Sequence, residues 1–187
     1  MPGVDEAQVR RLVREAVERA LAADARAAAA VAPGAGGERR VAIGSDHGGF
    51  ALKEVLKRYI TEELGFTVQD LGTHSTDAVD YPDFAAAVAR EVSGGRCARG
   101  IVVDAAGIGS TMAANKVPGV RCALCHDAAT VLNAREHNDA NCLALGAKVV
   151  NRGLASRMVR LFLTTPFGGG RHERRVRKIM ALERGGR

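Results

Sequence analysis

Residues 100–116, Gly-Ile-Val-Val-Asp-Ala-Ala-Gly-Ile-Gly-Ser-Thr-Met-Ala-Ala-Asn-Lys, decide the fold of this chain. An apolar strand enters a glycine-spaced turn, and small residues then begin a helix. Gly107 and Gly109 allow a ligand to approach the backbone, where the first helical amides have no partner inside the helix. Asp104 stands at the end of the strand. The stretch predicts an anion-binding loop, although glycine-rich turns also join strands to helices without binding anything.

The chain beyond residue 39 alternates short apolar runs with amphipathic segments, a rhythm typical of α/β proteins. Strands are predicted at 40–44, 66–71, 100–103, 121–125 and 142–145, and helices at 50–64, 83–92, 110–115, 127–136, 151–163 and 170–182. This order predicts a doubly wound, Rossmann-like, mainly parallel sheet of about five strands. The three layers are α/β/α, with helices at the carboxyl terminus. Ligands in such folds bind where the strands end.

The chain divides into three parts. Residues 1–30 are predicted to form an amphipathic helix, since Val9, Leu12 and Val13 begin an apolar stripe between Arg and Glu residues. Residues 31–39 are predicted to form an Ala/Gly/Pro linker, and residues 40–187 are predicted to form the α/β domain. A single short helix is marginally stable alone, so we expect it to need a partner surface.

Composition limits the classes of function. The aromatic content is 4% with no Trp, which argues against stacking on single-stranded nucleic acid. The formal net charge of +6 is concentrated after residue 151, where ten basic residues accompany two acidic ones. A solvated helix, nucleic acid or an acidic small substrate would each explain this excess. No apolar run approaches the roughly 20 residues of a membrane helix, so we expect a cytoplasmic protein that binds neither membrane nor nucleic acid.

Four cysteines are present, and two of them form a single Cys-x-x-Cys, Cys122 to Cys125. One such pair is weak evidence for zinc or redox chemistry. The same segment also fits a buried strand, in which Cys acts as a small apolar residue.

Polar side chains follow several of the predicted strands. Asp46 and His47 are adjacent at the end of the first strand, where they could equally be a helix cap and a surface histidine. His137 can exchange a proton at neutral pH. Arg171 and Arg175 are four residues apart, so both can bind one phosphate from a single helical face.

Five separated motifs together resemble ribose-5-phosphate isomerase B and related sugar-phosphate isomerases, which include galactose-6-phosphate isomerase. The motifs are Gly44-Ser-Asp-His47, Asp80-Tyr-Pro82, Gly107-Ile-Gly109 with Ala113-Ala-Asn-Lys116, Arg135-Glu-His-Asn-Asp139, and Gly169-Gly-Arg-His172 with Arg175. The resemblance covers about residues 40–182.

The resemblance implies roles for the matching residues. Asp46 and His137 would assist opening of the sugar ring. The substrate phosphate would be held by His47, Arg171 and Arg175.

The resemblance also implies the surroundings of the reacting carbons. Tyr81 and Asn138 would line the pocket, and the backbone at Gly107, Gly109 and Ser110 would stabilise an enediolate. Relatives act as homodimers or homotetramers with the pocket between subunits, and they use no metal and no organic cofactor.

The residue that abstracts the proton departs from the family pattern. Many relatives have Cys at the position of Asp104, and another branch has Glu where this chain has Ser110. Ala106 replaces a usual Thr or Ser, and Lys148 stands where relatives often carry Arg. Asp104 is the nearest candidate base, because a carboxylate is ionised at neutral pH without activation.

The predicted function is therefore isomerisation of a phosphorylated sugar, with ribose 5-phosphate and ribulose 5-phosphate as the favoured pair. The alternatives are an isomerase of another pentose or hexose phosphate and a sugar-phosphate-binding protein without catalysis. Residues 1–30 resemble the peptides that direct enzymes into bacterial microcompartments, where they bind shell or cargo proteins. An oligomerisation helix and a disordered extension are equally open.

Overall fold

The computed structural model describes residues 7, 8, 11, 14, 15, 18 and 40–183. Within the last range the order of elements is β1 Arg40–Ser45, α1 Phe50–Arg58, β2 Thr67–Asp70, α2 Tyr81–Ser93, β3 Arg99–Asp104, α3 Ile108–Ala114, β4 Cys122–Leu124, α4 Ala128–Glu136, β5 Cys142–Gly146, α5 Arg152–Thr164 and α6 Arg171–Leu182. Each predicted strand and helix of the α/β domain is present. The six described residues before the domain are helical and exposed. The predicted apolar stripe and the linker lie outside the described residues.

The five strands form one parallel sheet in the order β2-β1-β3-β5-β4. The order changes direction between β1 and β3, and the carboxyl ends of both strands lie at the same edge. The prediction of a doubly wound, Rossmann-like sheet of five strands is confirmed.

Two apolar clusters cover the two faces of the sheet. On one face Val103 and Leu145 pack with buried side chains of α1, α4 and α5, including Leu56 and Phe162. On the other face Ala42, Val102 and Ala144 pack with α2 and α3. The molecule therefore has the predicted three layers, and the core holds the strand ends in fixed positions.

Helix α2 lies unusually close to the sheet. A Cβ atom on Gly44 would stand 2.9 Å from Val88 Cγ2, and one on Gly100 would stand 2.7 Å from Val88 Cγ1. Strand positions without side chains thus allow the helix to rest directly on the backbone of β1 and β3.

Two boundaries differ from prediction. Tyr81, expected in a loop, is the first residue of α2, because Pro82 is well suited to the first turn of a helix. The helix predicted over 50–64 ends as an α-helix at Arg58 and continues as a π-helical turn over Tyr59–Glu63, in which the Leu64 amide donates to the Tyr59 carbonyl at 3.2 Å.

Helix α6 carries much of the basic excess and has no buried residue. Ile179 is 43% exposed and Leu182 is 72% exposed, so the apolar side of the helix is uncovered in the single chain. Among the described residues, every helix is too short or too polar to cross a membrane.

Candidate active site

The loop after β3 folds around the Asp104 side chain. One carboxylate oxygen accepts from the amides of Ala106, at 2.8 Å, and Gly107. The other accepts from the Ser110 amide at 3.1 Å and the Ser110 hydroxyl at 2.6 Å. Asp104 is only 5% exposed. The predicted base and the predicted oxyanion donors are therefore hydrogen-bonded to each other.

The backbone of this loop is fixed by its neighbours. Gly107 begins α3 in the left-handed region, at φ 82°, and a Cβ there would overlap Leu124. The Ala147 amide donates to the Asp104 carbonyl at 2.8 Å, and the Lys148 amide donates to the Ala105 carbonyl at 3.0 Å. Lys148 is thus placed beside the loop by its backbone, while its side chain is exposed.

Asp46 and His47 occupy the neighbouring strand end and point differently, as expected for adjacent residues in a turn. Asp46 is 8% exposed, and its carboxylate accepts from the Gly49 amide at 2.8 Å. The Asp46 amide donates to the Val103 carbonyl at 3.3 Å, which joins this turn to β3. His47 is exposed, and the Val79 amide lies 3.2 Å from its Nδ1. Asp46 therefore lies beside the Asp104 loop, and the adjacent His47 is exposed to solvent.

Tyr81 covers the same loop from α2. A Cβ atom on Gly109 would stand 2.5 Å from the Tyr81 ring, so the absence of a side chain at 109 allows the ring to pack on the first turn of α3. Tyr81 is 40% exposed. The ring therefore contacts α3 at Gly109 and is otherwise partly open to solvent.

A buried ion-pair network is linked by hydrogen bonds to the end of β1, next to the turn that carries Asp46. Lys53 is fully buried, and its Nζ contacts both Asp70 carboxylate oxygens, at 2.7 and 2.8 Å. Burial raises the pKa of Asp70, but hydrogen bonds from Lys53 and Lys57 and from the Gly72 amide outweigh burial and lower it to about 2. The Gly72 carbonyl accepts from the Ser45 amide at 2.6 Å. Sequence reasoning missed this network because Lys53 lies among helical residues that the pattern predicts to be solvated.

A second group of predicted residues gathers at the end of α4. The rings of His137 and His172 stack with centroids 4.2 Å apart and an interplanar angle of 6°. Burial, together with the charges of His137, Arg171 and Arg175, lowers the pKa of His172. His137 Nδ1 lies 2.9 Å from Asn133 Nδ2, which fixes the ring. The stack joins the α4 end to the start of α6.

Two arginines clamp the turn that carries His137 and Asn138. Arg135, only 1% exposed, donates to the Asp139 carboxylate at 2.9 Å and to the Ala140 carbonyl at 2.6 Å. Arg121 donates to the other Asp139 carboxylate oxygen at 3.0 Å. Sequence reasoning did not assign Arg135 or Asp139 a role, although both lie inside the Arg-Glu-His-Asn-Asp motif.

Arg171 and Arg175 lie on α6 with exposed side chains. Within residues 40–183, no hydrogen bond, ion pair or ring contact joins the Asp46, Tyr81 and Asp104 group to the His137 and Arg171 group. A cavity of about 460 Å³ lies along the edge strand β4. Asn138 lines it, whereas the Asp104 loop does not. The single chain therefore holds the predicted site residues in two separate groups.

The cysteines do not resemble a metal or redox site. All four are buried thiols. Burial raises the pKa of Cys125 to about 11, and a hydrogen bond with Cys142 raises that of Cys122. Among the described residues, no three His, Cys, Asp or Glu side chains are grouped to hold a metal ion. The interpretation of Cys122 as part of a buried strand is confirmed.

Comparison with known proteins shows the family to which this chain belongs. Residues 41–179 match the family model described as Ribose/Galactose Isomerase, and the chain belongs to that family. Ribose-5-phosphate isomerase B of Escherichia coli is 40% identical over 145 residues, which cover 78% of this chain and 97% of that protein.

Similar solved structures support the same family assignment. The chain is similar to ribose-5-phosphate isomerase B of Clostridium thermocellum, with a TM-score of 0.76 and 47% identity over 78% of this chain and 98% of that one. It is also similar to the type B ribose 5-phosphate isomerase of Trypanosoma brucei, with a TM-score of 0.75 and 46% identity over 78% and 99% of the two chains.

Proposed function

We propose that this protein is an aldose–ketose isomerase that interconverts ribose 5-phosphate and ribulose 5-phosphate through an enediolate. The observation that carries the proposal is the β3–α3 loop, where fixed backbone donors and a carboxylate meet at the ligand edge of the sheet beside Asp46. Such donors stabilise the charge that develops on a substrate oxygen. The names of the E. coli, Clostridium and Trypanosoma relatives support the choice of substrate.

The proposed reaction assigns the site residues to five roles. Asp46 and His137 open the sugar ring, and Asp104 removes the C2 proton from the open-chain aldose. The Gly107, Gly109 and Ser110 amides stabilise the enediolate, which is then protonated at C1. His47, Arg171 and Arg175 hold the phosphate, and Tyr81, Asn138 and Lys148 complete the walls of the pocket.

The separation of these residues into two groups supports a particular way of assembling the roles. We assign the His137 and Arg171 half of each site to a second copy of the chain, in a homodimer or a larger assembly. Exposed apolar side chains surround the Asp104 loop, since Ile108, Val149 and Met112 are 52%, 54% and 64% exposed. The uncovered apolar side of α6 supports the same arrangement.

Complementation tests the shared site. Asp46→Ala and Arg171→Ala variants, each inactive alone, are mixed, unfolded and refolded together. Mixed dimers contain one site with both native halves, so activity reappears. A mixture as inactive as its components, with dimers verified by light scattering, would place both halves in one chain.

The activity itself is tested with a panel of pentose and hexose phosphates. We expect turnover of ribose 5-phosphate and its abolition by Asp104→Ala. Thermal stabilisation by sugar phosphates without turnover of any of them would instead favour the binding protein. Unchanged turnover in folded Asp104→Ala would show that another group is the base.

The amino-terminal region is proposed to act separately from residues 40–187. The helix predicted over 1–30, joined through the linker predicted over 31–39, would direct the enzyme to the lumen of a bacterial microcompartment by binding a shell or cargo protein. A fluorescent carrier fused to residues 1–39 is expected to collect in shells, whereas the carrier alone stays diffuse. A fusion that also stays diffuse in cells that make shells would contradict targeting.

A further inference from the structure

The Asp104 carboxylate already occupies two of the three amides that the proposed reaction assigns to the enediolate, those of Gly107 and Ser110. Its two oxygens accept four hydrogen bonds, from the Ala106, Gly107 and Ser110 amides and the Ser110 hydroxyl. A carboxylate offers about four lone-pair directions. The amides therefore cannot bind a substrate oxygen while they hold all of this carboxylate.

The loop backbone cannot supply a second set of donors by turning. Its carbonyls at Asp104 and Ala105 are held by the amides of Ala147 and Lys148. A Cβ on Gly146 would stand 2.7 Å from the Ala106 backbone, so the β5 end packs directly against the loop. The donors are thus fixed in direction, so an exchange of their partner requires the Asp104 side chain to move.

We infer that the Asp104 carboxylate and the enediolate oxygen are alternative occupants of one set of donors, and that the loop holds a single negative charge throughout the reaction. This inference rests on the proposed isomerase function. It makes Asp104 both the base and the resident anion of its own oxyanion hole, a role that the sequence alone does not suggest.

The chemical step explains why the donors change partner. As the substrate binds, one Asp104 oxygen gives up an amide donor to O1 and so has a lone pair free. The C2–H bond then breaks and its proton goes to that oxygen. The C–H electron pair forms the C1–C2 double bond, and the carbonyl pair moves onto O1. The carboxyl group is now neutral and O1 is anionic. Because hydrogen bonds to an ionised acceptor are roughly twice as strong as neutral ones, the amides then favour O1.

Ser110 acts on the reaction through Asp104. Its hydroxyl and its amide both contact the same carboxylate oxygen, at 2.6 and 3.1 Å, and the residue is 2% exposed. It is therefore a positioning residue for the base, and its amide is one of the donors that pass to the substrate.

The test measures competition for these donors. The probe is D-erythronate 4-phosphate, whose carboxylate stands for the enediolate oxygens and is ionised at neutral pH. Calorimetry compares its affinity for the wild-type protein and for Asp104→Ala. Removal of the resident anion empties the donors, so we expect the variant to bind the probe at least tenfold more tightly although its turnover falls at least a hundredfold.

Two further variants make the result specific. Asp104→Asn keeps the shape of the side chain and removes its charge, so it should also bind the probe more tightly, even if Asp104→Ala fails to fold. Asp127→Ala is the matched control, because Asp127 caps α4 through the Thr130 amide at 2.7 Å but lies outside the proposed site. It should lose thermal stability and keep the affinity of the wild type within about twofold.

The outcomes separate this inference from the proposed function. Equal or weaker probe binding by folded Asp104 variants would overturn the shared donors, even with an active wild-type enzyme. A wild-type protein that converts no sugar phosphate would contradict the isomerase, whereas tighter binding by the variants would still support the shared donors. Failure of every variant and of the wild type to bind the probe would overturn the shared donors, while turnover by the wild type would still decide the isomerase.

Discussion

Replacement of Lys53 by Met tests whether the buried ion pair stabilises the fold and the Asp46 turn. Lys53 has no exposed side-chain surface and contacts both oxygens of Asp70. Met keeps most of the volume, so the main effect is the loss of the cation. Breaking a buried pair costs about 3–5 kcal/mol. Asp70 retains Lys57, at 2.7 Å, and the Gly72 amide, so we expect a value near the lower end, about 3 kcal/mol.

The assay is urea unfolding, with thermal unfolding beside it. For a domain of this size, about 3 kcal/mol corresponds to a fall in Tm of roughly 6–12 °C. Because Asp70 holds Gly72, and Gly72 accepts from Ser45 next to Asp46, we also expect a lower kcat at temperatures where the variant is folded.

Lys57→Met is the matched control on the same helix. Lys57 contacts the same carboxylate, but its side chain is 30% exposed, so its loss should cost less than about 1 kcal/mol. If the two variants lose the same free energy of unfolding, burial does not govern this network and the reasoning is refuted.

Two other predictions concern acid stability and the wall of the site. The folded pKa of Asp70 is about 2, below the value near 3.9 of an unfolded Asp, so its stabilisation is complete above pH 4 and is lost as the pH falls through 2. After allowance for screening by solvent, this loss of unfolding free energy is about 1–2 kcal/mol. In urea unfolding between pH 2 and 6, the free energy of unfolding of Asp70→Asn should therefore depend less steeply on pH than that of the wild type. Equal slopes would contradict this prediction. Gly109→Ala places a methyl group 2.5 Å from the flexible Tyr81 ring, so KM should rise about tenfold with under about 1 kcal/mol lost in unfolding free energy. Gly153→Ala, whose nearest neighbour would be Asn151 Oδ1 at 3.6 Å, is the control, and equal KM values in the two variants would show that Tyr81 is not displaced.

The sheet was largely predictable because its signals are local. Buried parallel strands read as short apolar runs, such as Ile101 to Val103, and the strand-to-helix rhythm sets the topology. The boundaries of the helices and strands were harder to predict. The start of α2 at Tyr81 depends on Pro82 entering the first helical turn, and proline is as typical of loops as of that position.

The arrangement inside the site was only partly predictable. Sequence spacing placed Asp104, Gly107 and Ser110 in one loop, but it carried no information on which way the carboxylate turns. That direction is decided by four donors that converge only when the loop is folded. The burial of Lys53 and the stacking of His137 on His172 likewise depend on residues that are distant in sequence.

Because α2 packs closely on Gly44 and Gly100, the position of the Tyr81 ring beside the Asp104 loop depends on residues of β1 and β3. The helix begins with Tyr81, so the depth at which it rests on the sheet sets the height of the tyrosine ring above the loop. The substitution Gly100→Ala would place a methyl group 2.7 Å from Val88 Cγ1 and would move α2 away from the sheet. The position of the Tyr81 ring thus depends on the absence of a side chain at Gly100, near the start of β3.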